Sequence, residues 1–263
     1  MSAPNLSDID RAAFAAASVT IRPAAGASAP LLFICEHAGN VVPAPWRDLD
    51  LAAPYLDTHF AWDIGGAALT GLLAERLGAP AVLAGYSRLF LDINRAPQDW
   101  DCLRPDMGGI PVPGNLNVTP EDRALREAIA REPFDRVVHH FLKPRPAVIS
   151  VHTFTPIMGG KPRPTDIGVL WRKECRMGGP ALSQLRRQQH FTIGSNEPYD
   201  WHLSEGYSLR KHGLDQGLAC LYLEIRNDLL SSPADVARVA DALVPALEAE
   251  IHVMDSERPV TIG

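Results

Sequence analysis

The sequence predicts an α/β fold built from βαβ units, and three observations predict it. Short apolar runs of strand length, LLFIC (31–35), LFLDI (89–93), AVISV (147–151) and CLYLEI (220–225), punctuate the chain. Helical stretches with recognisable start and stop signals lie between them, which gives the alternation of βαβ units. Each apolar run also gives way to, or holds, polar and ionisable residues, and open α/β sheets bind ligands outside the carboxyl ends of their strands.

At 263 residues, 46% hydrophobic and 21% charged, the chain can bury a sizeable core, and no repeat or low-complexity linker divides it. One domain, residues 1–263, is expected. A formal net charge of -6 excludes a general affinity for nucleic acid or anionic membrane, so the basic residues that matter act locally. Four cysteines (Cys35, Cys102, Cys175, Cys220) form no C-x-x-C pair, and two lie inside apolar strand runs. They read as buried free thiols in a reducing compartment. MSAPNLSDIDRAAFAAASVTIRP has acidic residues and no basic region leading into an apolar stretch, unlike a secretory signal. No span reaches transmembrane length, and the expected location is cytoplasmic.

In chain order, the first strand is 31–35. Phe60 to Leu77 is apolar at helical spacing and ends at Gly78, a suitable terminator. Residues 80–93 then supply a second strand. Thr119-Pro120-Glu121-Asp122 offers an N-cap, a first-position proline and first-turn acids, starting a helix to about Glu132. Strands follow at 147–151 and 220–225. Ser232-Pro233-Ala234-Asp235 repeats the capping device before a closing helix with Val236, Val239, Leu243 and Leu247 on one face. Three stretches rich in Gly, Pro and Asn, 96–118, 155–168 and 194–207, read as loops around a site mouth.

The polar residues at the strand ends fall into three constellations. After the first strand come Glu36, His37, Gly39 and Asn40, and His152 stands in the same place on another strand. The two imidazoles point to a metal pair, for which catalytic zinc usually has three protein ligands and a water. Asp57, His59 and Asp63 in DTHFAWD are candidates for the third; if this segment is helical, His59 and Asp63 share a face. Alternatively, Asp57 or Thr58 caps the helix. In SRLFLDINRAP, Arg88, Asp92 and Arg95 sit among apolar residues, where partners are implied; Asp92 can hold one arginine and leave another free. Arg95 can grip a carboxylate through two parallel hydrogen bonds, with Asn94 adding a donor. In LYLEIRND, Glu224 and Arg226 are two apart on a strand, so they either pair with each other or leave Glu224 as a general base. His202 and His212 are surface histidines or alternative proton carriers. Together these residues form the toolkit of a metal-assisted hydrolase acting on an anionic amide.

ICEHAGNVVP, THFAWDIGGAALTGLLAERLGAP, YSRLFLDINRAP, SVHTF, GSNEPYDWHLSEGYSLRKHGLDQGL and LYLEIRNDLL, in that order, resemble the N-formylglutamate amidohydrolase family over most of the chain. The resemblance implies a three-layer α/β/α fold of the phosphorylase/hydrolase-like kind, with a central mixed, mostly parallel sheet, similar to zinc carboxypeptidases and aspartoacylases. It implies cleavage of N-formyl-L-glutamate to formate and glutamate in histidine breakdown, with zinc or another divalent metal. In aspartoacylase-like enzymes zinc is held by a His, a Glu three residues later and a distant His, an Asn-Arg pair holds the substrate carboxylate, and a late Glu is the base. His37, His152, Asn94-Arg95 and Glu224 match those parts, with Arg88 and Arg226 as helpers toward a small anionic N-acyl amino acid. Asn40 stands where the early Glu would be. The third ligand is then Asp63, the favoured candidate, or His59 or Glu36. An amidohydrolase for another N-acyl amino acid and a non-catalytic carboxylate-binding protein are the rival readings.

Overall fold

The computed structural model describes residues 3–24, 29–202 and 206–256. Its centre is formed by the apolar runs: β2 (Leu31–Cys35), β4 (Ala147–Phe154) and β9 (Cys220–Arg226) are buried along nearly their whole length. Strands covered on both faces need no alternation, which explains why they read as unbroken apolar runs. They pair in parallel, with β3 (Ala81–Ala84) parallel to β2 on the other side. β1 (Val19–Arg22) adds antiparallel to β3; β7 (Ile167–Leu170) adds antiparallel to β9 and carries β8 (Ile193–Ser195) in parallel. The seven-stranded sheet thus runs β1-β3-β2-β4-β9-β7-β8. A separate hairpin, β5 (Ile157–Met158) and β6 (Lys161–Pro162), turns at Gly159 and Gly160, both at positive φ.

Helices cover both faces, giving three layers. α2 (Gly66–Leu77), α5 (Gly179–Gln188) and α7 (Pro233–Ser256) pack on the face carrying Phe33, Ile149 and Leu223. Val236, Val239, Leu243 and Leu247 of α7 are buried there, as their spacing requires. The opposite face, with Ile34, Val148 and Tyr222, is covered by α3 (Pro120–Arg126), α4 (Glu132–Phe141), α6 (Tyr207–His212) and the loop around Trp46 and Phe90. α1 (Asp8–Ala17), opened by a Ser7–Asp10 capping box, completes the helices. Of these, none among the described residues is long and apolar enough to cross a membrane.

Several boundaries differ from expectation for identifiable reasons. The Phe60–Leu77 helix begins only at Gly66, because Gly65 lies at φ 84°; neither Asp57 nor Thr58 caps it, and the Thr58 hydroxyl bonds the Tyr55 carbonyl instead. Gly78 ends it in the left-handed region as anticipated. Thr119 caps α3 by accepting from the Asp122 N–H, but the helix continues past Glu132 to Phe141 through a π-helical turn, Glu127–Arg131. That turn precedes Pro133, whose missing N–H and bulky ring are incompatible with a regular turn. The strand expected over 80–93 stops at Ala84: the Ser87 carbonyl accepts from Phe90 N and Leu91 N, and its hydroxyl accepts from Leu89 N, which makes a turn. Residues 89–93 are apolar because they fill the second core, and LFLDI is not a strand. The 155–168 stretch contains the β5–β6 hairpin and the first residues of β7, and 194–207 includes positions 203–205, outside the described residues.

Candidate active site

Strand alternation assembles the site. Ser150 and His152 of β4 face the same side as Tyr222 and Glu224 of β9, and register sets Ser150 opposite Tyr222 and His152 opposite Glu224. Glu36 and His37 follow directly from the carboxyl end of β2. The turn at 60–65 comes alongside, since the Asp63 N–H donates to the His37 carbonyl at 2.9 Å. A cavity of about 280 Å³ opens at this end of the sheet, lined among others by His37, Asp63, Arg88, Asn94, Arg95, His152 and Glu224. A larger open depression along α5 is lined by residues such as Leu182 and Arg186 and has no acid or imidazole on its wall.

The two imidazoles are held alike. His37 Nε2 meets Asp92 Oδ1 at 2.8 Å, and His152 Nε2 meets Glu36 Oε2 at 3.1 Å and Ser150 Oγ at 2.9 Å. Ser150 Oγ in turn donates to Glu36 Oε2 at 2.8 Å. Each ring therefore turns Nδ1 toward Asp63 Oδ2, at 3.6 Å from His37 and 2.9 Å from His152. Carboxylates behind the far nitrogens fix ring orientation, the usual arrangement behind metal-bound histidine. Ligand atoms of His37, Asp63 and His152 lie within 4.8 Å of one another, and all three residues are buried. Among the described residues, buried His37 Nδ1 has no hydrogen-bond partner. Burial, reinforced by the Arg88 charge, pushes His37 down to about 4, so its imidazole is neutral near pH 7 and can ligate. Two imidazole nitrogens and a carboxylate are the donor set that divalent ions of the zinc type accept, so the cluster can hold a metal ion.

Around this cluster stand the groups for substrate. Arg88 pairs with Asp63 Oδ1. Arg95 lines the cavity, and its Nε donates to Asp101 Oδ2 at 2.9 Å. Asn94 is committed within the protein: Nδ2 donates to the Tyr222 hydroxyl at 3.1 Å and Oδ1 accepts from Ser208 N at 3.1 Å. Tyr222 stacks on His152 with ring centroids 4.5 Å apart. Glu224 is 5% exposed, its Oε2 lacks a hydrogen-bond partner among the described residues, and burial pushes its carboxyl up to about 7. A carboxyl titrating there can both take and return a proton near neutral pH.

Other sequence candidates fall elsewhere. Glu36 lies behind His152, not among the three clustered ligand atoms. Asn40 bonds Asp57 at 3.3 Å, and His59 is exposed against Phe60, so neither joins the cluster. Because 60–65 is a turn, His59 and Asp63 do not share a helical face. Arg226 does not pair with Glu224; it bonds Asp166 and Asp228, each at 2.8 Å, away from the cavity wall. His212 is buried against Asp135 at 2.8 Å, and His202 is exposed against Asp200. Of the two readings of Asp92, the arginine pair is not the one formed among the described residues; Asp92 hydrogen-bonds His37. Sequence reasoning missed Ser150, Tyr222, Tyr199, Trp201 and Arg104. Only the first two carried a signal, two residues before His152 and Glu224 on their strands.

The chain matches the family described as N-formylglutamate amidohydrolase over residues 29–231. No curated protein matches it. It is similar to the crystal structure of a gene product from Agrobacterium tumefaciens, with 29% identity, 90% of this chain and 96% of that one covered, and a TM-score of 0.85. It shares its fold with the crystal structure of N-formylglutamate amidohydrolase from Ralstonia eutropha JMP134, at 18% identity, with 91% and 99% of the chains covered and a TM-score of 0.64.

Proposed function

Because the chain belongs to the N-formylglutamate amidohydrolase family, we propose that residues 1–263 form one metal-dependent catalytic domain that hydrolyses the amide of N-formyl-L-glutamate to formate and glutamate. The observation that carries this reading is the buried His37–Asp63–His152 cluster beside Glu224 in a cavity walled by arginines. His37, Asp63 and His152 would hold the ion, zinc by donor type. When bound, such an ion lowers the pKa of a coordinated water and polarises an acyl oxygen.

The chain's own residues supply the rest. Arg95 grips a substrate carboxylate through its two terminal nitrogens, a bidentate geometry that also orients the amide. Arg88, held against Asp63, presents positive charge where negative charge develops on the acyl oxygen. Glu224 takes the proton from the attacking water and delivers it to the amide nitrogen as the C–N bond breaks, leaving formate and a free amine. Glu36 and Asp92 hold the histidine rings in place. Four free, buried cysteines suit a cytoplasmic setting, part of the same proposal.

The test is elemental analysis of the purified protein before and after chelation, with N-formyl-L-glutamate hydrolysis measured in the same samples. Near-stoichiometric zinc whose removal abolishes turnover and whose return restores it is expected. Hydrolysis indifferent to chelation would overturn the metal role; absence of hydrolysis in zinc-loaded protein would overturn the substrate.

A further inference from the structure

Three arginines line the cavity, and one differs from the others. Arg88 meets Asp63 and Arg95 meets Asp101, whereas no carboxylate among the described residues pairs with Arg104. Arg104 Nε donates to the Asp106 carbonyl at 2.8 Å, which fixes the guanidinium without neutralising it. Its backbone is fixed as well. Asn115 Nδ2 donates to the Arg104 carbonyl at 3.0 Å and to the Leu89 carbonyl at 2.8 Å. Arg126, fully buried, holds Asn115 by donating from Nη1 to Oδ1 at 2.7 Å.

A half-buried cation held at two points on a cavity wall, with both terminal nitrogens uncommitted among the described residues, is preorganised for an anion that arrives with the ligand. Arg95 and the metal cluster already account for one carboxylate and the acyl group. We propose that Arg104 binds a second carboxylate, the one on the substrate's side chain, and so restricts the site to N-acyl derivatives of dicarboxylic amino acids. This rests on the amidohydrolase reading of the cavity. The bond is charge-assisted and bidentate, so replacing the side-chain carboxylate by an amide costs on the order of 10²-fold in affinity.

The test measures calorimetric binding of L-glutamate and L-glutamine to the zinc-loaded wild type and to Arg104→Gln, together with hydrolysis of N-formyl-L-glutamate and N-formyl-L-glutamine. Wild type should bind glutamate on the order of 10²-fold more tightly. Arg104→Gln should narrow that ratio to within about fivefold, mainly by weakening glutamate, and Arg104→Lys should recover part of it. Equal binding of the two ligands by wild type, or an undiminished preference in folded Arg104→Gln, overturns the proposal. A glutamate preference that depends on Arg104 without hydrolysis of either formyl compound sustains it while overturning the proposed activity.

Discussion

Glu224 is placed where a base is useful and where a carboxylate strains the fold, and Glu224→Gln separates the two effects. The carboxyl is buried, which pushes it from the ordinary 4.5 up to about 7; the Glu36 carboxylate adds to the rise, while His152, Arg88 and Arg163 oppose it. The folded chain therefore keeps a proton that the unfolded chain releases above pH 4.5. Stability falls as pH rises through that interval, and the loss is complete once pH exceeds about 7. At about 1.4 kcal/mol per pH unit, the wild type at pH 8 carries a burden of about 3 kcal/mol that neutral glutamine lacks. At pH 5 the burden is under about 1 kcal/mol. Urea unfolding of chelator-treated proteins, followed by circular dichroism, should find the variant more stable by about 3 kcal/mol at pH 8 and nearly level with wild type at pH 5. Zinc-loaded variant should lose about 10²- to 10⁴-fold in turnover. A variant no more stable than wild type at pH 8 would refute the buried-carboxylate argument, and near-normal turnover would refute the role as base.

Three further outcomes follow from the geometry. Glu36→Gln removes the carboxylate behind His152 and should weaken zinc binding about 10- to 100-fold in competition with a chromophoric chelator; unchanged affinity would deny Glu36 an orienting role. Gly39→Ala would set a Cβ 2.1 Å from the Gly85 carbonyl oxygen, so a destabilisation of at least about 1–3 kcal/mol is expected, and an unshifted thermal midpoint would contradict the close approach. Burial alone would raise the Asp135 carboxyl, but hydrogen bonds from His212 and Lys211 outweigh it and hold it below the ordinary 3.8. Its stabilisation is thus present above pH 3.8 and lost as pH falls below it. Asp135→Asn should cost about 1–3 kcal/mol at pH 7 and progressively less in acid, and a pH-independent difference would contradict this.

What could be read from the sequence was whatever depends on burial and two-residue alternation. β2, β4 and β9 were legible because both their faces are covered, and with them His37, His152 and Glu224. LFLDI misled because its apolar residues report burial in a turn around Phe90, not a strand period. IGVL and IGS were too short and too close to Gly and Pro to stand out as β7 and β8. No local pattern separates Asp63 from His59, since what brings Asp63 to the imidazoles is long-range: its N–H bonds the His37 carbonyl. Arg226 shares a strand with Glu224, yet Asp166, distant in sequence, draws it away. Nothing local could reveal that either.

Asp63 ties the two halves of the site into one unit. Its Oδ2 faces both imidazoles and accepts the Thr153 N–H at 3.1 Å, while its Oδ1 holds Arg88. The Arg88 N–H donates to the Ala61 carbonyl at 3.0 Å, so one short turn fixes both the clustered Asp63 carboxylate and the arginine nearest to it. This arrangement gives a reason for the neutral Asn40. Glu36, Asp63, Asp92 and Glu224 already set four buried carboxyl groups around two imidazoles, with Arg88 as the cation in direct contact. Position 40 lies outside this group, with Asn40 half-buried and bonded to Asp57, so no ligand atom is required of it. With the carboxylate delivered from the turn, the loop after β2 can stay uncharged: Asn40 bonds Asp57 at its surface and Gly39 packs on Gly85. A divalent cation at Asp63 would then supply the charge the cluster lacks, and its stabilisation would be shared by the rings, the turn and Arg88 together.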